Sequence, residues 1–225
     1  LYITAGTREQ CGYVQGYMLA EEGDRFLSRL KSLYGILRQC HGVLHFYRRR
    51  LPVFGSAAIV QQYLKNVPDA HHAELHGMLA GHNAWATYNG KPQITLGDLI
   101  MLHLLPDAYT IDRELTGLAV LAPGCTSWLV KNKDDGSVVL GRVTDWLSFG
   151  MAQEASVVIE RKIVGVPKTR ILSIPLCIGC EYGENEYGLS LSVNVSPGLT
   201  VRNQEGKLVY LLYRELLETC KTVAD

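Results

Sequence analysis

The chain has no net charge: lysine plus arginine number 22, and so do aspartate plus glutamate. That balance gives no global attraction to nucleic acid or to an anionic membrane surface, so neither is expected as a partner. The one basic run, Arg48-Arg49-Arg50, reads as a solvated helix end. Long apolar runs are also missing, and none reaches the roughly 18 residues that suggest a membrane span. Cysteine is sparse, six in 225 residues, too few for a disulfide scaffold in a chain this long. Histidine is absent from the second half: His41, His45, His71, His72, His76, His82 and His103 all precede Cys125. A Cys–His enzyme centred on that cysteine would have to borrow its imidazole from the first half. The chain opens on Leu1 rather than methionine. An upstream export signal would account for this, and a periplasmic, secreted or lysosomal location is favoured over a cytoplasmic one.

Residues 8–50 read as helical, with Phe26, Leu27, Leu30, Leu33, Ile36 and Leu37 at the spacing of a buried face. Further helices are expected over 57–65, 69–82 and 95–105. Thr95 and Asp98 stand in capping-box positions at the start of the last of these. After residue 124 the period changes. Segments 125–131, 137–145, 155–162, 171–178 and 187–195 are short, rich in Val, Ile and Ser, and read as strands, and residues 210–225 read as a closing amphipathic helix. The expected division is therefore a helical segment, 1–124, followed by a strand-rich segment, 125–225.

The chemistry gathers at that boundary. Pro123-Gly124-Cys125-Thr126-Ser127-Trp128 opens one strand, which turns at Asp134-Asp135-Gly136 and returns through Gly141-Arg142-Val143-Thr144-Asp145-Trp146. A hairpin centred on Asp135 would lay Asp145 directly across from Cys125. Arg142 and Asp145 are an odd number apart, so strict alternation puts them on opposite faces unless a bulge intervenes.

Cys125-Thr126-Ser127, the Asp-Gly turn and Gly141-Arg142-x-x-Asp145 resemble the N-terminal nucleophile hydrolases of the isopenicillin-N acyltransferase and choloylglycine hydrolase group. Asn185-Glu186-x-Gly188-Leu189 with Asn194 resembles a second motif of that group. Gly6-Thr7-Arg8-Glu9 with Gly12-Tyr13-x-Gln15-Gly16, and Glu74-Leu75-x-Gly77-Met78 with Asp98-Leu99 and Leu102, are similar to segments of its acyltransferase-like branch. The resemblance implies an α+β fold, a layered αββα sandwich preceded by a mostly helical segment, whose C-terminal part continues beyond Asp225 in relatives.

It also implies self-cleavage between Gly124 and Cys125, after which the first segment stays bound as an α chain. The freed α-amino group, whose ordinary pKa is about 8, would act as general base for the Cys125 thiol. Asp145 would hold that amine, Arg142 would supply positive potential, and the Asn194 amide would donate to the developing oxyanion. No cofactor is implied, and the substrate would be a small acyl amide, attacked by hydrolysis or acyl transfer through a thioester. Three other readings stay open: a lipid-directed amidase or phospholipase-B-like esterase on the same scaffold, a non-catalytic binding module, and a zinc site built from His72-x-Glu74 and Cys177-x-x-Cys180. A homo-oligomer is also open.

Overall fold

Thr7 begins the first helix by exchange with Gln10: its side-chain oxygen accepts from the Gln10 amide, and the Gln10 side chain accepts from the Thr7 amide. Thr95 and Asp98 form the same reciprocal cap, as their spacing predicts. The computed structural model describes residues 1–39, 63–104, 124–145, 150–194 and 206–225. The Arg48–Arg50 run lies outside them. The elements are β1 (Tyr2–Gly6), α1 (Arg8–Met18), α2 (Ala20–Gln39), a 3-10 turn (Leu64–Asn66), α3 (Asp69–Tyr88), α4 (Leu96–Leu104), β2 (Gly124–Lys131), β3 (Val138–Asp145), α5 (Met151–Ala155), β4 (Val157–Ile163), β5 (Thr169–Ser173), β6 (Tyr182–Asn185), β7 (Ser190–Ser192) and α6 (Val209–Thr219). The fold is thus mixed α+β, and no helix among the described residues is long and apolar enough to cross a membrane.

One sheet has the order β1-β4-β5-β6-β7, with β1 parallel to β4 and every other pair antiparallel. The helical half therefore contributes a strand to the sheet of the other half. Tyr2-Ile3-Thr4-Ala5-Gly6 is too short a run to declare itself in sequence, and only Thr4 in it is fully buried. The second sheet is the β2–β3 hairpin. Gly183 of β6 faces Leu217 of α6. Tyr182, on the opposite face, donates its hydroxyl to the Leu140 carbonyl of the hairpin at 3.4 Å. Helix, five-stranded sheet and hairpin are stacked in that order at this end of the molecule.

Three expected elements end early, each for a local reason. The strand expected over 171–178 stops at Ser173, because Pro175 cannot donate to a ladder and the chain folds back. Ser173 Oγ donates there to the Cys177 and Gly179 carbonyls, 3.0 Å each. The strand expected over 187–195 is only Ser190–Ser192, since Asn185 turns the preceding residues: its side-chain oxygen accepts from the Tyr187 and Leu189 amides. Helix α6 stops at Thr219, after which Lys221 and Thr222 amides close onto the Asp225 carboxylate.

Helices α1 and α3 run side by side with almost no side chain between them. A Cβ on Gly12 would lie 2.9 Å from the Glu74 carbonyl carbon and closer still to its oxygen. Gly16 meets Met78, Gly77 meets Glu9 and Gly81 meets Tyr13 in the same way. Two glycine pairs, each four residues apart, interlock.

Beside this contact lies a buried ionic cluster joining the two halves of the chain. Glu74, fully buried, accepts from Arg161 Nε at 3.0 Å and from Arg214 Nη1 and Nη2 at 3.1 and 3.0 Å. Arg214 Nε donates to Glu218 at 2.7 Å, and Arg8 donates to Glu218 at 2.8 Å. Gln15 accepts from Arg161 and donates to the Pro175 and Cys177 carbonyls. Burial, reinforced by the Arg214 charge, pushes the His71 imidazole down from 6.5 to about 4. Burial would raise the Glu218 carboxyl, but Arg214 and Arg8 outweigh it and hold it at about 2.

Both groups bind protons more readily in the unfolded chain, so both make stability rise with pH. The His71 contribution is complete above 6.5 and is lost as pH falls toward about 4. That of Glu218 is complete above 4.5 and is lost toward about 2. Each is worth on the order of 3 kcal/mol at most. Urea midpoints measured from pH 7 downward should begin to fall near pH 6.5, and His71→Gln should flatten that first limb. A native midpoint that stays level to pH 4 would contradict this account.

Candidate active site around Cys125

The hairpin register decides which side chains meet. Its loop is closed by the Asn132 amide donating to the Ser137 carbonyl at 2.8 Å, with the Asn132 and Asp135 side chains bonding the Asp134 and Ser137 amides. The centre therefore falls between Asp134 and Asp135, and every partner shifts by one. Cys125 pairs with Thr144, and Asp145 pairs with Gly124. This corrects the expectation that Asp145 stands directly across from Cys125. The Asp145 side chain lies outside the described residues.

The same shift brings Arg142 to the thiol. Cys125 and Ser127 of β2 share a face with Thr144 and Arg142 of β3, because directly paired residues point the same way. Arg142 Nη2 lies 3.3 Å from Cys125 Sγ. The ladder runs from Val138 to Asp145 without a bulge, so Arg142 and Asp145 stay on opposite faces of the strand, and of the two only Arg142 shares the face of Cys125. Arg142 is 6% exposed and densely bonded. Its Nη1 donates to the Val193 carbonyl, to the Glu181 carbonyl at 3.2 Å and to Ser192 Oγ at 3.2 Å. Its Nε donates to Thr144 Oγ1 at 2.9 Å, and Nη2 also donates to the Glu181 carboxylate at 2.9 Å. Thr144 closes the ring by donating to the same carboxylate oxygen at 2.6 Å.

Asn194 reaches this cluster through Ser127, whose hydroxyl lies 3.0 Å from Asn194 Oδ1 and 2.8 Å from Ser192 Oγ. With its oxygen facing Ser127, the Asn194 carboxamide keeps its NH₂ as the donor, and the residue is exposed. Tyr210 stands behind the site. Burial, then the Glu181 and Cys177 charges, push its phenol far up, so it is a neutral wall. Cys125 itself is half-buried, as is Cys220, while Cys11, Cys177 and Cys180 are buried, and all five are unbridged.

The sequence motifs divide into those at the site and those that hold it. Asn185 is structural: besides turning β6 into β7 it donates to the Leu217 and Cys220 carbonyls at 3.0 and 2.8 Å. Glu74 belongs to the buried cluster, and His72 bonds the Val67 carbonyl. The two halves of the zinc pattern are therefore not joined, and no group of three metal-ligating side chains occurs among the described residues. His103 is engaged elsewhere, between the Leu99 carbonyl and the Ile178 amide. No histidine among the described residues bonds Cys125 Sγ.

Ser127, Thr144, Glu181 and Ser192 were not singled out by sequence reasoning. Ser127 and Thr144 would have followed from the right register, since they alternate with Cys125 and Arg142. Glu181 carries no signal, because it precedes a strand, Tyr-Gly-Glu-Asn, with no apolar pattern. No protein-family model matches the chain, and no curated protein matches it in sequence.

Chemically, a thiol with a guanidinium 3.3 Å away can attack a carbonyl carbon while the positive charge steadies the negative charge that develops. An exposed carboxamide on the same wall can donate to a substrate oxygen.

Proposed function

We propose that the chain is an autoprocessing cysteine N-terminal nucleophile enzyme, an amidohydrolase or acyltransferase acting on a small, non-peptide acyl amide through a thioester. The observation that carries this reading is the contact of Arg142 with Cys125 Sγ, across the hairpin whose strand β2 carries Gly124 and Cys125. In this reading the chain is cut between those two residues, and Cys125 becomes the first residue of a β chain in an αββα sandwich. Asp145, whose backbone pairs with Gly124, would hold the amine that cleavage frees. That amine would take the thiol proton and later return it to the leaving group. Arg142 would face the developing charge, and the Asn194 amide would be an oxyanion donor. The thiol has no imidazole partner among the described residues, which suits a mechanism whose base is the residue's own amine.

Intact mass and one round of N-terminal sequencing test the reading. The purified protein should run as two fragments under denaturing conditions, the second beginning Cys-Thr-Ser. An uncut chain with full amidase activity would remove the proposed base and with it the reaction class.

A further inference from the structure

The Arg142 guanidinium is held in place by neutral groups. Two carbonyls and the Ser192 hydroxyl take Nη1, and the Thr144 hydroxyl takes Nε. Only Nη2 meets groups that can carry negative charge, the Glu181 carboxylate at 2.9 Å and the Cys125 sulfur at 3.3 Å. At 6% exposure for Arg142 and 19% for Glu181, water screens this arrangement weakly. A cation so enclosed needs a counter-charge, and leaving one unpaired is costly. The carboxylate is therefore not required to fix the position of Arg142. What it supplies is charge, and it supplies it to the donor that the sulfur also uses.

We propose that Glu181 restrains the reactivity of Cys125 by sharing the Arg142 guanidinium with it, an inference that rests on the reading of Cys125 as nucleophile. Glu181 is a positioning residue in the sense that it places charge rather than atoms. While the sulfur is a neutral thiol, Arg142 is balanced by Glu181. When the sulfur becomes anionic it must compete for a cation already paired. Thr144, donating to the same carboxylate oxygen at 2.6 Å, holds the competitor in place. Nothing in the sequence motifs around Cys125 points to Glu181, which reaches the site from the start of β6.

Iodoacetamide at limiting dose on the folded, full-length protein, read site by site by mass spectrometry, tests this. Glu181→Gln keeps the shape and one acceptor oxygen but removes the charge. Labelling of Cys125, measured against half-buried Cys220 in the same sample, should rise about tenfold. Glu181→Ser removes the charge and the reach together and should shift the rate in the same direction, which keeps the test open if the glutamine variant folds poorly. Glu184→Gln strips the next carboxylate along β6, half-exposed and paired with Arg170, and should leave the Cys125 rate unchanged.

Buried Cys11, Cys177 and Cys180 serve as the folding check, since a loosened structure would expose all of them. An unchanged or slower Cys125 rate in both folded Glu181 variants overturns the inference. The two ideas fail separately. If Cys125→Ala still cuts itself, the nucleophile reading falls whatever the labelling shows. If Cys125→Ala stays whole and Glu181→Gln labels at the native rate, only the role of Glu181 falls.

Discussion

Gly12→Ala and Gly77→Ala should each cost at least about 3 kcal/mol of stability, beyond the ordinary range for an added methyl group, because the obstacle is backbone rather than a movable side chain. The methyl group at Gly12 would meet the Glu74 carbonyl, and that at Gly77 would meet the Glu9 carbonyl. Neither helix can yield locally. Helix α1 follows β1 with only Thr7 between them, and α3 is tied through Glu74 to Arg161 and Arg214. Separating the helices enough to admit a methyl group would lengthen those charged hydrogen bonds as well. The control has the opposite sign. Gly35, inside α2, has no atom of the described residues within 4 Å of its Cβ position, so Gly35→Ala should be neutral or stabilising by about 0.5–1 kcal/mol through helix propensity alone. Urea denaturation of the three variants at one pH measures the difference. A Gly12→Ala midpoint equal to wild type would mean that the helices are not in backbone contact.

Cys125→Ala should leave one uncut chain with no amidase turnover, while keeping the native fold. The second half of that expectation matters as much as the first. Cys125 is half-buried at the end of a hairpin, and its sulfur meets Arg142 Nη2 at 3.3 Å. Losing the sulfur opens no core cavity, and Arg142 keeps its bonds to Thr144, Ser192, Val193 and Glu181. Circular dichroism and the urea midpoint should therefore match those of the native protein within about 1 kcal/mol. A variant that unfolds would say nothing about chemistry. If the folded variant splits normally, cleavage is not performed by this thiol.

How much of this was legible in the sequence depends on the size of the error each inference tolerates. Helix α3 and the cap at Thr95 followed from spacing, and the change from helix to strand near residue 124 needed only the change of period. The Cys125 strand and its return through Arg142 were legible for the same reason. The partner across from Cys125 was not, because a turn of charged and polar residues offers several closures and a single-residue error exchanges the two faces. Asn132 and Asp135 made the choice here with side-chain bonds. Strand β6 was hidden for a different cause. Gly183 lies under Leu217, so the sheet face that should have shown an apolar residue shows none. Glu74, Arg161, Arg214 and Glu218 look in sequence like solvated charges, and only their convergence from two helices and a strand buries them.

If the chain is cut at the 124–125 bond, the parallel pairing of β1 with β4 fixes the order of events. Those two strands lie on opposite sides of the 124–125 bond, as do Glu74 and its partners Arg161 and Arg214. In one continuous chain they find each other at the effective concentration set by their tether, which for a chain loop is high. After a cut they would have to meet as separate molecules, each carrying charges whose burial is favourable only in the other's company. Assembly must then precede cleavage. The proposed self-processing would then act on a protein whose two fragments are already seated against each other.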